Sequence, residues 1–270
     1  MTRFFSYIIT AMVFFHSSAI AGKWTPGEMN EIIDQTNFVV NRGCSGTLIS
    51  IQEKLILTNH HCIEDSISYH EQEHTDSTGM TKKVRIKRYA DITVEQNGYS
   101  GHDKVSISSY ITEIVSDSRK RDLAILRIKA RIPHNLHSRI LPDNTLIQRG
   151  ERVYIVGNPA GNDATVVEGI ISNLNRTFEF PWTGNEKLAM IQFSGGIYGG
   201  NSGGALYNSS GYLIGVPAAG IRSVPFIGLA IPISVVKEFL LESCLGNIYK
   251  EFDQAKCISD KKKKHKKEED

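Results

Sequence analysis

After residue 21 the chain has no apolar run approaching the roughly 20 residues that a bilayer-crossing helix requires, so no later segment reads as a membrane span. It has no self-similarity at a fixed period, which excludes solenoid and propeller arrays. It lacks the long helical patterns between strands that a parallel α/β fold needs. It also lacks a charge imbalance. Lys and Arg total 31 against 29 Asp and Glu, a formal +2, and the basic excess lies in the last ten residues, where six lysines face three acids. The charge therefore gives no ground for a nucleic-acid partner.

What the chain does contain begins with an export signal. Residues 1–21 carry Arg3, an apolar run over 4–15, and Ala19-Ile20-Ala21 as a small-x-small cleavage pattern. Maturation is expected before Gly22, with the product in the periplasm or outside the cell. Four cysteines fit that compartment, where oxidation is permitted. Cys44 and Cys62 flank a turn between two apolar runs, and Cys244 and Cys257 would close a short C-terminal loop. Spacing does not fix the pairing, and four free thiols remain the alternative. At the other end, Lys261 to Asp270 holds six lysines and three acids with no apolar residue, so residues 259–270 are expected to form a disordered, solvated tail.

Between these ends, apolar and β-branched runs recur at 46–50, 55–59, 84–94, 105–114, 124–128, 153–157, 164–172, 189–194, 213–216 and 226–231. Gly, Pro, Asn and Asp fill the gaps. Many short strands punctuated in this way argue an all-β barrel or sandwich. Helices are expected only at the edges. Thr25-Pro26-Gly27-Glu28 has capping-box spacing and opens a short helix through Ile33. Ser234 is placed to cap a second helix whose Val235, Val236, Phe239 and Leu240 share a face and which stops near Gly246.

Three segments carry chemistry. Gly200-Asn201-Ser202-Gly203-Gly204 sets a serine on a glycine turn, where it can donate its own backbone N–H to a developing oxyanion. A serine hydroxyl is a poor nucleophile unless a base lies within hydrogen-bond reach. Thr58-Asn59-His60-His61-Cys62 supplies a candidate base, because imidazole titrates near neutral pH. Arg121-Asp122-Leu123 supplies a carboxylate that can hold the imidazole tautomer. The order His, Asp, Ser is one of the few in which such a triad is built.

These blocks resemble trypsin-like serine proteases of the chymotrypsin fold, and most closely the HtrA/Do-type bacterial enzymes. Thr58-Asn59-His60-His61-Cys62 is similar to the Thr-Asn-Asn-His of HtrA-type enzymes and the Thr-Ala-Ala-His-Cys of trypsins. Gly157-Asn158-Pro159-Ala160-Gly161, then residues 165–172, resembles the HtrA-type Gly-Asn-Pro strand pair. Ile191-Gln192 and then Gly200 to Gly204 resemble the nucleophile loop, so the likeness covers roughly residues 38–240.

The resemblance implies two packed six-stranded antiparallel β-barrels with a C-terminal helix, in a protease domain over residues 22–258. It implies a secreted serine endopeptidase that cuts protein or peptide substrates through an acyl-enzyme, with no cofactor and no metal. It selects His61 over His60 as the base, beside Asp122 and Ser202, with the N–H groups of Gly200 and Ser202 as the oxyanion hole. Cys62 beside His61, with Cys44 upstream, matches the disulfide that trypsins place next to the base and that HtrA-type enzymes usually lack. The pocket that selects the substrate side chain is expected around Gly196, Val216, Pro217 and Ala218, and without an acid it should favour small or apolar groups.

Two departures matter. Asn201 stands where zymogen-type trypsins carry the Asp that pairs with a newly freed N-terminus, so no such activation switch is expected. The chain also ends soon after the last helix with no PDZ-like segment, so the regulated assembly of HtrA enzymes is not carried over and the oligomeric state stays open.

Two other functions compete. His70-Glu71-Gln72-Glu73-His74 has the spacing of a zinc-hydrolase helix, but its polar, turn-forming flanks argue a solvated loop. A protease-fold protein that binds a target without cutting it is the other, and an intact triad argues against it.

Overall fold

The computed structural model describes residues 24–269 apart from 42, 76–77, 101–102, 134, 162–163 and 222. The expected export signal, residues 1–21, lies outside the described residues.

Helix α1, Pro26–Thr36, starts as its sequence dictates. Glu28 N donates to Thr25 Oγ1 at 3.3 Å, and Thr25 N donates back to Glu28 Oε2 at 2.9 Å. These bonds from Thr25 hold the Glu28 carboxyl below its usual range. The helix runs one turn past Ile33, which it buries.

Eight strands come next: β1 (Asn37–Val40), β2 (Cys44–Ser50), β3 (Leu55–Thr58), β4 (Ile67–Thr75), β5 (Thr81–Tyr89), β6 (Ile92–Ser100), β7 (Asp103–Ser118) and β8 (Leu123–Ile128). Six of them close into a barrel in the order β1-β2-β3-β8-β7-β6. The expected strand over 84–94 is divided. Its first part belongs to β5, which leaves the barrel to pair only with β4, and its second part begins β6.

The second barrel is built from β10 (Arg152–Gly157), β11 (Thr165–Glu179), β12 (Lys187–Ser194), β13 (Ala205–Asn208), β14 (Tyr212–Ile221) and β15 (Val224–Pro232). Their order is β13-β10-β11-β12-β15-β14, and the ring closes where Leu206 faces Gly215 and Tyr207 faces Leu213. The two-residue β9, Arg139–Ile140, lies parallel to β14 outside that ring. The molecule is thus all-β, two six-stranded antiparallel barrels with helices only at its margins.

Alternation explains why several strands read as unbroken apolar runs. Ile56, Ala124, Leu126 and Ile128 point into the first barrel. Their neighbours Leu55, Leu57, Leu123 and Ile125 point the other way and share a core with β10, β12 and α1. Strands buried on both faces cannot show a polar period of two. Each such side chain contributes about 2 kcal/mol on burial.

Helix α2, Ile233–Glu242, buries Val236, Phe239 and Leu240 as expected. Its N-cap is Pro232 with no side-chain bond, so Ser234 sits inside the first turn rather than capping it. Two disulfides form, Cys44–Cys62 and Cys244–Cys257. The Lys-rich segment expected to be disordered is instead the continuation of helix α3, Gln254–Glu269. Lys and Glu are good helix formers, and Cys257 anchors the first turn to Cys244 at the end of α2. Among the described residues, no helix is long and apolar enough to cross a membrane.

Candidate active site

The site lies where the turns of the two barrels meet. His61 stands in the turn after β3, and Asp122 in the tight turn between β7 and β8. Asp122 takes a left-handed backbone (φ 53°), a conformation that Asp tolerates better than most residues. That turn aims its carboxylate inward, where it is 1% exposed. His61 Nδ1 lies 2.8 Å from Asp122 Oδ2 and 3.0 Å from Oδ1. The backbone N–H of His61 donates to Asp122 Oδ1 at 2.9 Å, and Asn59 Nδ2 donates to the Asp122 carbonyl at 2.8 Å. Tautomer, ring position and turn are therefore fixed together.

Ser202 sits in the turn between β12 and β13, with its carbonyl accepting from Ser45 N at 2.7 Å. Cys62 Sγ lies 3.8 Å from that carbonyl. A ring nitrogen of His61 lies within 4.8 Å of both Cys44 and Cys62 sulfurs. The Ser202 backbone and the His61 ring thus both lie beside the Cys44–Cys62 disulfide. The Ser202 hydroxyl itself donates to the Ala218 carbonyl at 3.3 Å. The structure pairs His61 with Asp122, and Ser202 Oγ with Ala218.

The glycine turn is held open from behind. Gly200 has φ 108°, and a Cβ there would stand 2.3 Å from Asn158 O, so no other residue fits. Gly200 O accepts from Ser45 Oγ at 2.7 Å, and Gly199 O accepts from Ala160 N at 2.6 Å. With those carbonyls turned away, the N–H groups of Gly200 and Ser202 have no acceptor among the described residues. Asn201, 2% exposed, packs against Gly157.

Beside Ser202 opens a cleft of about 390 Å³, whose wall includes Trp182, Ile197, Tyr198, Ala218, Ile221 and Pro225 and, among the described residues, no charged side chain. Of the four expected pocket residues, Ala218 lines it. Val216 and Pro217 are buried in the barrel wall, and Gly196 packs against the Tyr198 ring. The reason is a bulge in β14. Pro217 pairs with Ala230 and Ala219 with Leu229, leaving Ala218 as the extra residue. A bulge re-aims the residues beyond it, so the wall continues through Ala219 to Ile221. It also frees the Ala218 carbonyl for Ser202.

Two features were invisible in the sequence. Trp182 Nε1 donates to Asp122 Oδ2 at 3.1 Å from 60 residues away. His60, 3% exposed, has its own carboxylate, with Nδ1 3.0 Å from Asp117 Oδ2. Lys87 Nζ and Tyr89 Oη also donate to Asp117, each at 2.6 Å. Burial alone would raise this carboxyl, but His60, Lys87 and Tyr89 outweigh it and hold it well below the usual carboxylate range. His60 thus lies against Asp117 at ion-pair distance, although its Nδ1 makes no hydrogen bond of acceptable geometry among the described residues.

His70 and His74 lie on β4, an exposed strand and not the expected loop. Four residues of extended chain separate them by roughly 13 Å, so they cannot share an ion as on a helix. Cys44, His61 and Cys62 cluster closely enough to suggest metal ligands, but both sulfurs are spent in the disulfide.

A serine on a glycine turn and a carboxylate-bound histidine, in a fold of two antiparallel barrels, match the chymotrypsin-fold class of peptidases. The chain belongs to the trypsin-like peptidase domain family, whose profile matches residues 44–216. It is 33% identical over 176 residues to the serine protease Do-like HtrB of Bacillus subtilis (strain 168), covering 62% of this chain and 37% of that protein. It is 31% identical over 182 residues to an HtrA-like serine protease of Staphylococcus aureus (strain MRSA252), covering 63% of this chain and 24% of that one. The match thus spans little more than a third of the first of these proteins and about a quarter of the second. Among solved structures, the serine endoprotease from Yersinia pestis superposes with a TM-score of 0.56 at 25% identity, over 80% of this chain and 64% of its own. An HtrA-type protease with tripeptide gives 0.57 at 24%, over 80% and 62%, and supports the fold.

Proposed function

We propose that this protein is an exported serine endopeptidase in which His61, Asp122 and Ser202 act as the triad. The observation that supports the reading is the His61–Asp122 pair, held by three contacts, with the His61 ring beside the disulfide whose Cys62 sulfur lies 3.8 Å from the Ser202 carbonyl. In the reaction, the Ser202 hydroxyl turns from Ala218 O towards His61 Nε2. His61 takes its proton as Oγ attacks the peptide carbonyl. The oxyanion that forms is held by the N–H groups of Gly200 and Ser202. His61 then protonates the leaving amine, and water releases the acyl group by the reverse sequence. Asp122 stabilises the imidazolium and stays ionised.

The substrate side chain before the scissile bond enters the cleft beside Ser202. Among the described residues its wall is aromatic and aliphatic, which supports a preference for apolar residues over Lys or Arg. Asn201 cannot form the ion pair with a freed N-terminus that an Asp would, so no zymogen-type cleavage is required. The two disulfides fit export, as does the leader read in residues 1–21.

The bond from Ser202 Oγ to Ala218 O is the one observation that favours the alternative, a binder that keeps its serine turned away. Treatment with a fluorophosphonate separates the two. The endopeptidase is labelled at Ser202, and hydrolysis of a peptide library is lost in Ser202→Ala. Folded but unlabelled protein with no hydrolysis would establish the binder.

A further inference from the structure

We propose that Trp182 is a positioning residue: its indole N–H orients the Asp122 carboxylate, and its ring makes that orientation responsive to what occupies the cleft. The proposal rests on the triad reading given above and goes beyond it.

The Asp122 carboxylate takes three donors among the described residues. Two belong to His61, its backbone N–H and Nδ1. The third is Trp182 Nε1, so the indole is the one donor, among the described residues, that another residue supplies. An indole N–H can only donate, so its partner must be an acceptor, here Oδ2. That oxygen is also the nearer one to His61 Nδ1, at 2.8 Å. The Trp182 bond therefore fixes the rotation of the carboxylate about the bond that decides how squarely Oδ2 meets Nδ1.

The indole is itself fixed from the Asp122 side. Arg119, three residues before Asp122, donates from Nε to the Trp182 carbonyl at 2.9 Å. Each turn thus donates to the other, Arg119 to Trp182 and Trp182 to Asp122. Behind the ring, Phe180 stacks at 4.7 Å with the planes 20° apart. In front, the His61 ring lies 5.5 Å away. Trp182 also belongs to the cleft wall that includes Ser202. One rigid ring therefore touches the base, its carboxylate partner and the space a substrate fills. A group entering the cleft presses on the same plane whose edge holds Asp122.

The test uses the full chain with 15N-labelled histidine. Trp182→Phe keeps most of the ring and removes the donor. On an apolar peptide substrate kcat should fall about tenfold while KM changes little, as for loss of one charge-assisted bond. The low-field proton resonance of His61 Nδ1–H should move relative to the native protein. A peptide aldehyde that fills the cleft should shift that resonance and the indole emission together in the native protein. The emission change should vanish in Trp182→Phe, where Trp24 remains. A changed KM with kcat and the resonance unmoved would reduce Trp182 to a wall of the cleft and overturn the proposal. Should Trp182→Phe not fold by circular dichroism, the native protein decides: an Nδ1–H resonance indifferent to the aldehyde overturns it. Failure of the triad reading looks different. Then Ser202 is unlabelled by fluorophosphonate and His61→Ala retains hydrolysis, and both conclusions fall.

Discussion

The hydroxyl of Ser45 donates to the carbonyl of Gly200 at 2.7 Å, tying β2 of the first barrel to the Ser202 turn of the second. The same oxygen accepts from Asn158 N at 2.8 Å. Ser45 is fully buried, so these bonds are made without competition from water. They turn the Gly200 carbonyl away from the substrate side. Removing the hydroxyl in Ser45→Ala leaves that carbonyl and the Asn158 N–H short of a partner. Stability should drop by about 1–3 kcal/mol, and kcat should fall more than KM rises. Thermal melts and peptide kinetics would check this, and unchanged kcat would show that the turn holds its shape alone.

Gly200→Ala places a Cβ 2.3 Å from Asn158 O at a φ of 108°. The turn must shift, and with it the N–H groups offered to the oxyanion. The expected loss is about 10²–10³ in kcat, the magnitude of losing one oxyanion donor. The measurement is steady-state hydrolysis beside circular dichroism, which should stay native.

Asp117 predicts how the fold responds to acid. Its carboxyl is held below its free value by His60, Lys87 and Tyr89 after burial has worked against it. Folded protein then binds that proton less readily than unfolded protein. The stabilisation is complete above the unfolded value of about 4 and drains away as pH falls below it. Asp117→Asn should cost about 2 kcal/mol at neutral pH, less than a fully buried pair because water reaches Lys87. Urea melts at neutral pH and near pH 3 should differ more for the native protein than for Asp117→Asn.

The Cys244–Cys257 bridge joins the end of α2 to the first turn of α3, far from Ser202 in the chain. Replacing both with Ser should cost about 3 kcal/mol by the loop-entropy argument. Hydrolysis measured well below the melting temperature should be retained. A large loss of kcat instead would place the C-terminal helix in contact with the catalytic turns.

Much of this was readable from residues. The apolar runs at 55–59 and 124–128 became β3 and β8, and Thr25 with Glu28 formed its capping box. β1 and β13 were not expected, because four residues beside a helix or a glycine turn carry too little pattern. β4 escaped, and β5 was read only from residue 84 and run together with β6, for a different reason. Both faces of that ribbon are largely exposed, so no alternation of polar and apolar residues marks it. The cleft beside Ser202 runs on through Ala219 to Ile221, beyond the residues expected from sequence, because Ala218 is an extra residue in β14, and a bulge has no signature in composition.

The sequence by itself determined the chemistry on offer: a hydroxyl on a glycine turn, an imidazole and a carboxylate in workable order, and enough alternating apolar strands to enclose them. Those depend on residue type and local spacing. Tertiary structure decided which groups meet. It paired His61 with Asp122 and His60 with Asp117, turned the Gly200 carbonyl towards Ser45, and brought the Trp182 indole to the Asp122 carboxylate. Such contacts span tens to more than a hundred residues, and only barrel closure and strand register set their distances. No local pattern in a chain encodes a register that a single bulge can shift.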